Sequence, residues 1–316
     1  MVKLTNNIVI EKANALGFDL VGFAKADILN DEITNLNKWL SSGYQAGMKY
    51  MERNIDKRED VKNILTDAKS VISLATNYYT KENYSNSNDN GKVSRYAWGK
   101  DYHLIIWEKL AKLENELKKI DPKFECKTYV DTGPVMDKVW AKRAGLGWLS
   151  KNSNIINKKL GSWIFLSSII TNYQFDYNEL IKDLCGDCTA CLDACPTNAI
   201  VEPYVVDSNK CVSYLTIENK GEIPEIFIGK FDNWLFGCDI CQDVCPWNIK
   251  FSSETSENNF LPADGNKEIK IEKILKMEQP EFKKRFENSP INRSKLKGLK
   301  RNAVHLKKSL IESKVN

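Results

Sequence analysis

Residues 185–196 read CGDCTACLDACP, and this stretch decides the architecture of the chain. Its four cysteines follow the spacing C-x2-C-x2-C-x3-C directly before a proline. Residues 238–246 (CDICQDVCP) repeat the last part of the pattern, and Cys211 lies between the two motifs. Thiolates are soft ligands that suit iron–sulfur clusters, and such short spacing lets one loop hold three corners of a cubane. The pattern therefore predicts a ferredoxin-like module with two 4Fe-4S clusters.

The prolines also predict which cysteines share a cluster. In two-cluster ferredoxins the cysteine before the proline ligates the other cluster. The predicted first cluster has the ligands Cys185, Cys188, Cys191 and Cys245, and the second has Cys195, Cys211, Cys238 and Cys241. Structural zinc held by two sets of four thiolates is the alternative, but zinc ribbons pair two C-x2-C knuckles and do not need the longer run. The ninth cysteine, Cys126, is expected to be a small core residue.

The composition is that of an ordinary globular chain. Of its 316 residues, 42% are hydrophobic and 28% are charged, and the formal net charge of +4 argues against a strongly basic nucleic-acid binder. Charges at Lys3 and Glu11 interrupt any signal-peptide core, and no apolar run is long enough for a membrane span. Clustered cysteines without an export signal favour a reducing compartment. We expect a cytoplasmic monomer with no membrane partner.

Hydrophobic periodicity divides the rest of the chain into helices and strands. Residues 101–120 have helical spacing, whereas the polar residues 81–94 predict a loop. Residues 131–134 (DTGP) end a strand and are expected to open a helix, with Pro134 in its first turn. Buried strands are expected in two short apolar runs, at residues 70–75 and 162–170, and the alternating residues 125–130 predict a further strand.

The expected fold class is α+β or α/β, with three ranges along the chain. Alternating helices and strands predict a layered domain over residues 1–175. Residues 176–250 form the ferredoxin-like module. Residues 251–316 are predicted to be a polar connector followed by a basic helical tail.

Segments around the cysteines resemble a known enzyme family. They include residues 51–54 (MERN), 95–103 (RYAWGKDYH), 129–134 (YVDTGP) and 236–248 (FGCDICQDVCPWN). With these segments the chain resembles epoxyqueuosine reductase, the cobalamin- and iron–sulfur-dependent enzyme of the last step of queuosine synthesis on tRNA. The resemblance runs over roughly residues 1–250. It implies a two-electron reduction in which epoxyqueuosine, at the wobble position of the anticodon, loses its epoxide oxygen as water.

The resemblance also implies the cofactors and the site residues. Cobalamin would be the reaction centre in the layered domain, receiving electrons through the clusters from a low-potential donor. Asp131 would be the proton donor, although the residue type alone equally suits a cap of the following helix. The implied cobalamin contacts are Asn54, Asp131, Ile155, Leu166 and Ser213.

The last range contains a dense run of cations. Seven lysines and arginines lie between Arg293 and Lys308, which is usually a sign of a solvated helix face. The resemblance makes a tRNA anticodon stem-loop the expected partner, and its phosphates need cationic contacts. Residues 293–302 also resemble the start of the HEAT-like helical repeats of longer family members.

Two other functions are open at this stage. A reductive-dehalogenase-like enzyme would use the same cofactors on a small organohalide, but the missing export signal and the basic tail weigh against it. An electron-transfer protein would need only the cluster module. A carrier does not require the long domain that precedes the cysteines.

Overall fold

Helices and strands alternate through the amino-terminal half of the protein. The computed structural model describes residues 3–263 and 265–315, with side chains as far as Ile311, so Met1, Val2, Asp264 and Asn316 of the predicted ranges lie outside the description. In chain order, the elements of this half are α1 (Asn6–Ala15), β1 (Leu20–Lys25), α2 (Asn30–Ser41), α3 (Ile55–Glu59), β2 (Ser70–Asn77), β3 (Asn90–Val93), α4 (Tyr102–Ile120), β4 (Cys126–Tyr129), α5 (Asp137–Arg143), β5 (Trp148–Leu149), β6 (Ile155–Ile156) and β7 (Ile164–Thr171).

A four-stranded sheet forms the centre of this half. Its strand order is β1-β2-β7-β4, and all three pairings are antiparallel. Every residue of β2 is buried, because helices cover both faces of the sheet. Ile72 and Leu74 pack with α1 and α4, whereas Val71, which points the other way, packs with α2 and α5. The mixed helix-and-strand class is thereby confirmed, with antiparallel strands.

Two sequence predictions need correction, and strand β1 was not predicted at all. The segment predicted to be a loop contains strand β3. Strand β3 is polar, and its pairing partners come from distant parts of the chain, so its own sequence gives no signal. The helix predicted to open at Pro134 begins only at Asp137, with Met136 as its N-cap residue.

The cysteine motifs and the segments after them form the carboxy-terminal half. Their elements are α6 (Ala190–Asp193), β8 (Ile200–Glu202), β9 (Val205–Val206), α7 (Val212–Ile217), β10 (Trp234–Phe236), α8 (Ile240–Asp243), α9 (Pro246–Phe251), β11 (Glu268–Lys270), α10 (Ile271–Lys276), α11 (Gln279–Phe286) and α12 (Lys295–Val315). Helices α6 and α8 follow the same part of each motif and contact each other. No helix among the described residues is long and apolar enough to cross a membrane.

A second sheet takes one strand from each of the three predicted ranges. Its order is β10-β3-β11, with β3 parallel to β10 and antiparallel to β11. The connector predicted over residues 251–269 thus includes most of β11. One apolar cluster spans the same three ranges and includes Trp98, Phe236 and Leu299. The predicted tail therefore packs against the rest of the protein through α10, α11 and α12, and the three domain boundaries stay a prediction.

Asn302 shows how α12 is held. Its side chain is fully buried, and its amide donates hydrogen bonds to the carbonyls of Thr216 (2.7 Å) and Leu235 (2.9 Å). Asn302→Leu has a similar volume but leaves both carbonyls without these donors, so we expect the free energy of unfolding to fall by about 2–4 kcal/mol. Urea denaturation measures the change. Val304→Ala, at an exposed position of the same helix, should change it by less than about 0.5 kcal/mol. Equal stability of the two variants would contradict the assignment.

Candidate active site and cluster-binding loops

The eight motif cysteines fall into two groups. Burial raises the pKa of the Cys191 thiol to about 11, and the thiols of Cys185, Cys245 and Cys188 lie close enough to raise it further. We name these four the first thiol group. They come from both motifs, because the last cysteine of the second motif lies beside the first motif. The spacing predicts the same four cysteines as ligands of one cluster, and that ligation stays a prediction.

The second thiol group consists of Cys195, Cys211, Cys238 and Cys241. Burial raises the pKa of Cys241, and the neighbouring thiols of Cys211, Cys191 and Cys195 add to the rise. Burial likewise raises the pKa of Cys238, next to Cys241 and Cys211. The Cys191 thiol of the first group is among those that raise the pKa of Cys241, so the two groups lie side by side. All eight thiols are free, with no disulfide between them.

Backbone amides point at the sulfur atoms of the second thiol group. Cys211 is the N-cap residue of α7, and the amides of Ser213 and Tyr214 oppose the rise that burial causes in its pKa. The amide of Ala199 donates to the Cys195 sulfur at 3.2 Å. Such donors stabilise thiolates, so these loops suit iron–sulfur ligation. Among the described residues, no three His, Cys, Asp or Glu side chains converge closely enough to hold a single metal ion. A 4Fe-4S cluster does not require that arrangement, because its four thiolates bind four separate iron atoms.

Asp131 lies in a tight turn directly after β4. Its backbone is left-handed, with a φ of 55°, and its side chain is exposed. Its carboxylate accepts a hydrogen bond from the hydroxyl of Tyr102 at 2.7 Å. Helix α5 begins six residues later, with Met136 and not Asp131 as its N-cap residue. The helix-cap interpretation of Asp131 is therefore wrong.

Tyr102 approaches Asp131 from the start of α4. Its ring is stacked on Phe165, with 4.2 Å between ring centroids and 6° between planes, and on His103 at 4.1 Å. Burial raises the pKa of Tyr102 well above its ordinary value of 10, and the charge of Asp131 raises it further. The tyrosine consequently keeps its proton and donates to the carboxylate at neutral pH.

Asp137 supplies a second carboxyl group within electrostatic reach of Asp131. Burial raises its pKa from an ordinary 3.8 to about 7, and the charge of Asp131 adds to the rise. The Ser168 hydroxyl, which donates to it at 2.5 Å, the backbone amide of Asp131 and the guanidinium of Arg58 act in the opposite direction. The pair thus consists of one exposed and one half-buried carboxyl group within electrostatic reach of each other.

Lys138 lies near both Asp131 and two cysteines of the second thiol group. Lys138 is exposed, yet desolvation by the surrounding protein lowers the pKa of its amine. Asp131, Cys241 and Cys211 all lie close enough to oppose this lowering. The amine donates to the carbonyl of Ser153 at 2.8 Å and to the side chain of Asn154 at 3.0 Å.

The outer edge of the site is charged. Arg293 forms a two-point ion pair with Glu218, at 2.7 and 3.0 Å. Both Arg293 and Tyr50 lie within electrostatic reach of Asp131. The carboxy-terminal segment that precedes α12 therefore borders the same site as the turn after β4.

The other residues predicted to contact cobalamin lie on four elements. Asn54 is exposed, at a left-handed position before α3, and Ser213 lies in α7 beside Cys211. Ile155 of β6 and Leu166 of β7 share one small apolar cluster. Their contact with a cofactor stays a prediction. No role was predicted for Tyr102, Asp137 and Lys138, although Tyr102 lies within a segment that carries the family resemblance.

Together, two neighbouring thiol groups and the exposed carboxyl group of Asp131 near one of them are the features of an iron–sulfur oxidoreductase. A family model described as "4Fe-4S double cluster binding domain" matches residues 184–248. This match supports iron–sulfur clusters and not zinc. A second model, described as "Epoxyqueuosine reductase QueG, DUF1730", matches residues 58–132.

Proteins that are similar to this chain over nearly its whole length are named epoxyqueuosine reductase. The epoxyqueuosine reductase of Cellulophaga algicola is 45% identical over 96% of this chain and 98% of its own length. A crystal structure of epoxyqueuosine reductase with an epoxyqueuosine-modified tRNA-Tyr stem loop has a TM-score of 0.89, is 35% identical, and covers 96% of this chain and 81% of its own. The Bacillus subtilis enzyme, solved with its catalytic aspartate loop swung out of the active site, has a TM-score of 0.89 and is 34% identical, over 97% of this chain and 83% of its own. This chain belongs to the epoxyqueuosine reductase family, which decides against the dehalogenase-like and electron-carrier alternatives.

The raised pKa of Asp137 predicts a pH dependence of stability. Its pKa is about 7 in the folded protein and near 3.8 in the unfolded chain, so folding favours the protonated carboxyl group. The wild type should therefore lose stability as the pH rises from about 4 to 7, whereas the Asn side chain of the Asp137→Asn variant does not titrate. We expect the free energy of unfolding of the variant, relative to wild type, to increase by roughly 1–4 kcal/mol across that window.

Urea denaturation at several pH values measures this difference. Asp31→Asn, at an exposed position of α2, is the matched control and should follow the wild-type curve. If wild type and Asp137→Asn keep a constant difference between pH 4 and pH 7, the carboxyl group titrates normally and the assignment fails.

Proposed function

We propose that this chain reduces epoxyqueuosine to queuosine in tRNA, the last step of queuosine biosynthesis. The proposal is supported by family membership over nearly the whole chain. The single structural observation that carries it is the exposed Asp131, held by Tyr102 and facing Lys138 and the second thiol group. This arrangement places an acid next to a source of electrons, as reductive removal of an epoxide oxygen requires.

The reaction consumes two electrons and two protons. Both carbon–oxygen bonds of the epoxide break, a carbon–carbon double bond forms, and the oxygen leaves as water. We propose that Asp131 gives a proton to this oxygen, because an alkoxide is a poor leaving group and a positioned acid accelerates its departure. Its carboxyl group is exposed, whereas that of Asp137 is half-buried and accepts a hydrogen bond from Ser168.

Electrons would enter through the first thiol group and leave through the second. Cys188 of the first group is exposed, whereas Cys211 and Cys241 of the second lie near Lys138. We assign one 4Fe-4S cluster to each group. A low-potential external donor would supply electrons one at a time.

We assign cobalamin to the recess beside Asp131 and Lys138. When bound, cobalamin supplies the cobalt centre that delivers reducing electrons to the epoxide carbon. The apolar Ile155 and Leu166 suit the edge of a large flat ring, and Asn54 and Ser213 offer polar groups at two other elements. The turn at residues 131–134 is inferred to be a catalytic loop that can move, as it does in the Bacillus subtilis relative.

A cationic cluster beside the site suits the tRNA backbone. Burial lowers the pKa of Lys220, and the neighbouring cations Arg293, Arg301 and Lys295 lower it further. Like charges of this density are stabilised by an anion, and the phosphates of an anticodon stem-loop supply one. We propose that the segment after residue 293 is a HEAT-like unit that contributes to this surface. We also propose a cytoplasmic monomer, since the substrate is tRNA and the thiolates need a reducing compartment.

Iron content tests the cluster assignment. Cys238→Ser removes one ligand of the second thiol group, so anaerobically purified protein should fall from about eight iron atoms per chain to roughly four. Cys126→Ser is the matched control, because Cys126 lies in β4 beside Glu114 and Lys118, and it should keep all of its iron. Colorimetric iron analysis and the visible spectrum measure both. Stoichiometric zinc in the wild type, or unchanged iron in Cys238→Ser, would refute the assignment.

Turnover of epoxyqueuosine-containing tRNA tests the acid. Asp131→Asn keeps the size and the hydrogen-bond acceptor for Tyr102 but has no acidic proton, so kcat should fall by about 10²–10⁴-fold. The Kd for tRNA should remain within about twofold, because no phosphate-binding cation is changed. The exposed Asp31→Asn is the control for the loss of one negative charge. Queuosine formation at the wild-type rate by Asp131→Asn would show that another group protonates the oxygen.

A further inference from the structure

Asp131 holds a left-handed backbone conformation, with a φ of 55°. This region is uncommon for residues other than glycine, although Asp adopts it more readily than most. The turn is also tightly packed, since a Cβ atom at Gly133 would lie only 2.1 Å from the Tyr129 ring. The side chain of Asp131 is exposed, so contacts from outside the turn decide how well its position is fixed.

Two groups from different elements contact Asp131. From α4, the Tyr102 hydroxyl donates to carboxylate atom Oδ2 at 2.7 Å, and stacking on Phe165 fixes the direction of that hydroxyl. From α5, the Asp137 carboxyl group lies close enough to the backbone amide of Asp131 for that amide to lower its pKa, and the Ser168 hydroxyl donates to it at 2.5 Å. The first group orients the side chain of Asp131, and the second lies beside its backbone.

We propose that Tyr102 and Asp137 are positioning residues that clamp Asp131 from two sides and keep its carboxyl group directed into the active site. This inference rests on the proposed role of Asp131 as the acid. The contacts themselves belong to the protein without substrate or cofactor. They can therefore be tested separately from the reaction.

The hydrogen bond also distinguishes the two carboxyl oxygens. Oδ2 accepts from the Tyr102 hydroxyl, so Oδ1 is the oxygen that lies outside this hydrogen bond. A carboxyl group held in one rotamer is prepared for proton transfer, whereas a freely rotating group is not.

Hydrogen–deuterium exchange of the ligand-free protein measures the clamp directly. Tyr102→Phe keeps the ring that stacks on Phe165 but removes the hydroxyl, so amides of residues 130–135 should exchange about tenfold faster or more, while β7 stays protected. Tyr173→Phe is a matched control because its hydroxyl also donates to an aspartate, Asp121, at 3.1 Å, far from the site. It should leave exchange of residues 130–135 unchanged.

Kinetics of the reconstituted enzyme separate positioning from a general loss of structure. Tyr102→Phe should lower kcat by about ten- to a hundredfold with the KM for modified tRNA unchanged, since misplacement of a reacting group affects the chemical step. Tyr173→Phe should keep both constants. Unchanged exchange in Tyr102→Phe, or faster exchange with an unchanged kcat, would overturn the role of Tyr102.

Asp137 variants give a second, independent test. Asp137→Asn retains an oxygen that accepts from the Asp131 amide, so exchange of residues 130–135 should stay slow, whereas Asp137→Ala should accelerate it about tenfold. Equal exchange in the two variants would overturn the backbone half of the clamp. If the wild type fails to convert epoxyqueuosine while these exchange differences appear, the proposed function is wrong and the clamp stands. If turnover is normal and the exchange differences are absent, the proposed function stands and the clamp is wrong.

Discussion

A buried ion pair connects the layered domain with the loop that carries the second thiol group, and the geometry of the site depends on it. The guanidinium of Arg95 lies 3.2 Å from Asp243 and 3.7 Å from Asp239, and it is flanked by the rings of Trp98 and Trp163 at 4.8 and 4.7 Å. Burial raises the pKa of Asp239 to about 6, and Arg95 opposes that rise. Removing one partner of such a pair would leave a buried charge, at a cost of roughly 3–5 kcal/mol.

Smaller contacts extend this connection around the site. The Asn152 side chain donates to the carbonyl of Cys241 at 3.0 Å, and Asn248 accepts from the amide of Ser162 at 2.6 Å. Because these bonds join the layered domain to the second cysteine motif and the helix that follows it, the thiol groups have a fixed position relative to Asp131. Electron transfer and protonation at one substrate require such a fixed arrangement, which a flexible linker between two domains would not supply.

The sequence predicted what depends on local spacing and failed where the fold depends on distant partners. The cysteine groups follow from short intervals and a proline, and β2 and β7 follow from apolar runs that must be buried. Strand β3 could not be predicted, because a polar tetrapeptide becomes a strand only between β10 and β11, which come from the other two ranges. The start of α5 was misplaced for a related reason. The contacts of Asp131 keep the turn out of the helix, and they involve residues of α4 and α5.

Differences in burial also explain why only some residues of the candidate site could be identified from the sequence. Asp131 was singled out by family resemblance, while Asp137, six residues later, has the same side chain and no distinguishing motif. The structure separates their surroundings, since Asp137 is half-buried and accepts a hydrogen bond from Ser168 of β7, whereas Asp131 is exposed at the turn. A proton donor must reach its substrate and therefore cannot be fixed in position by burial. In our proposal the more buried groups Tyr102 and Asp137 supply that position. An acid of this kind therefore requires partners whose functional importance becomes visible only in three dimensions.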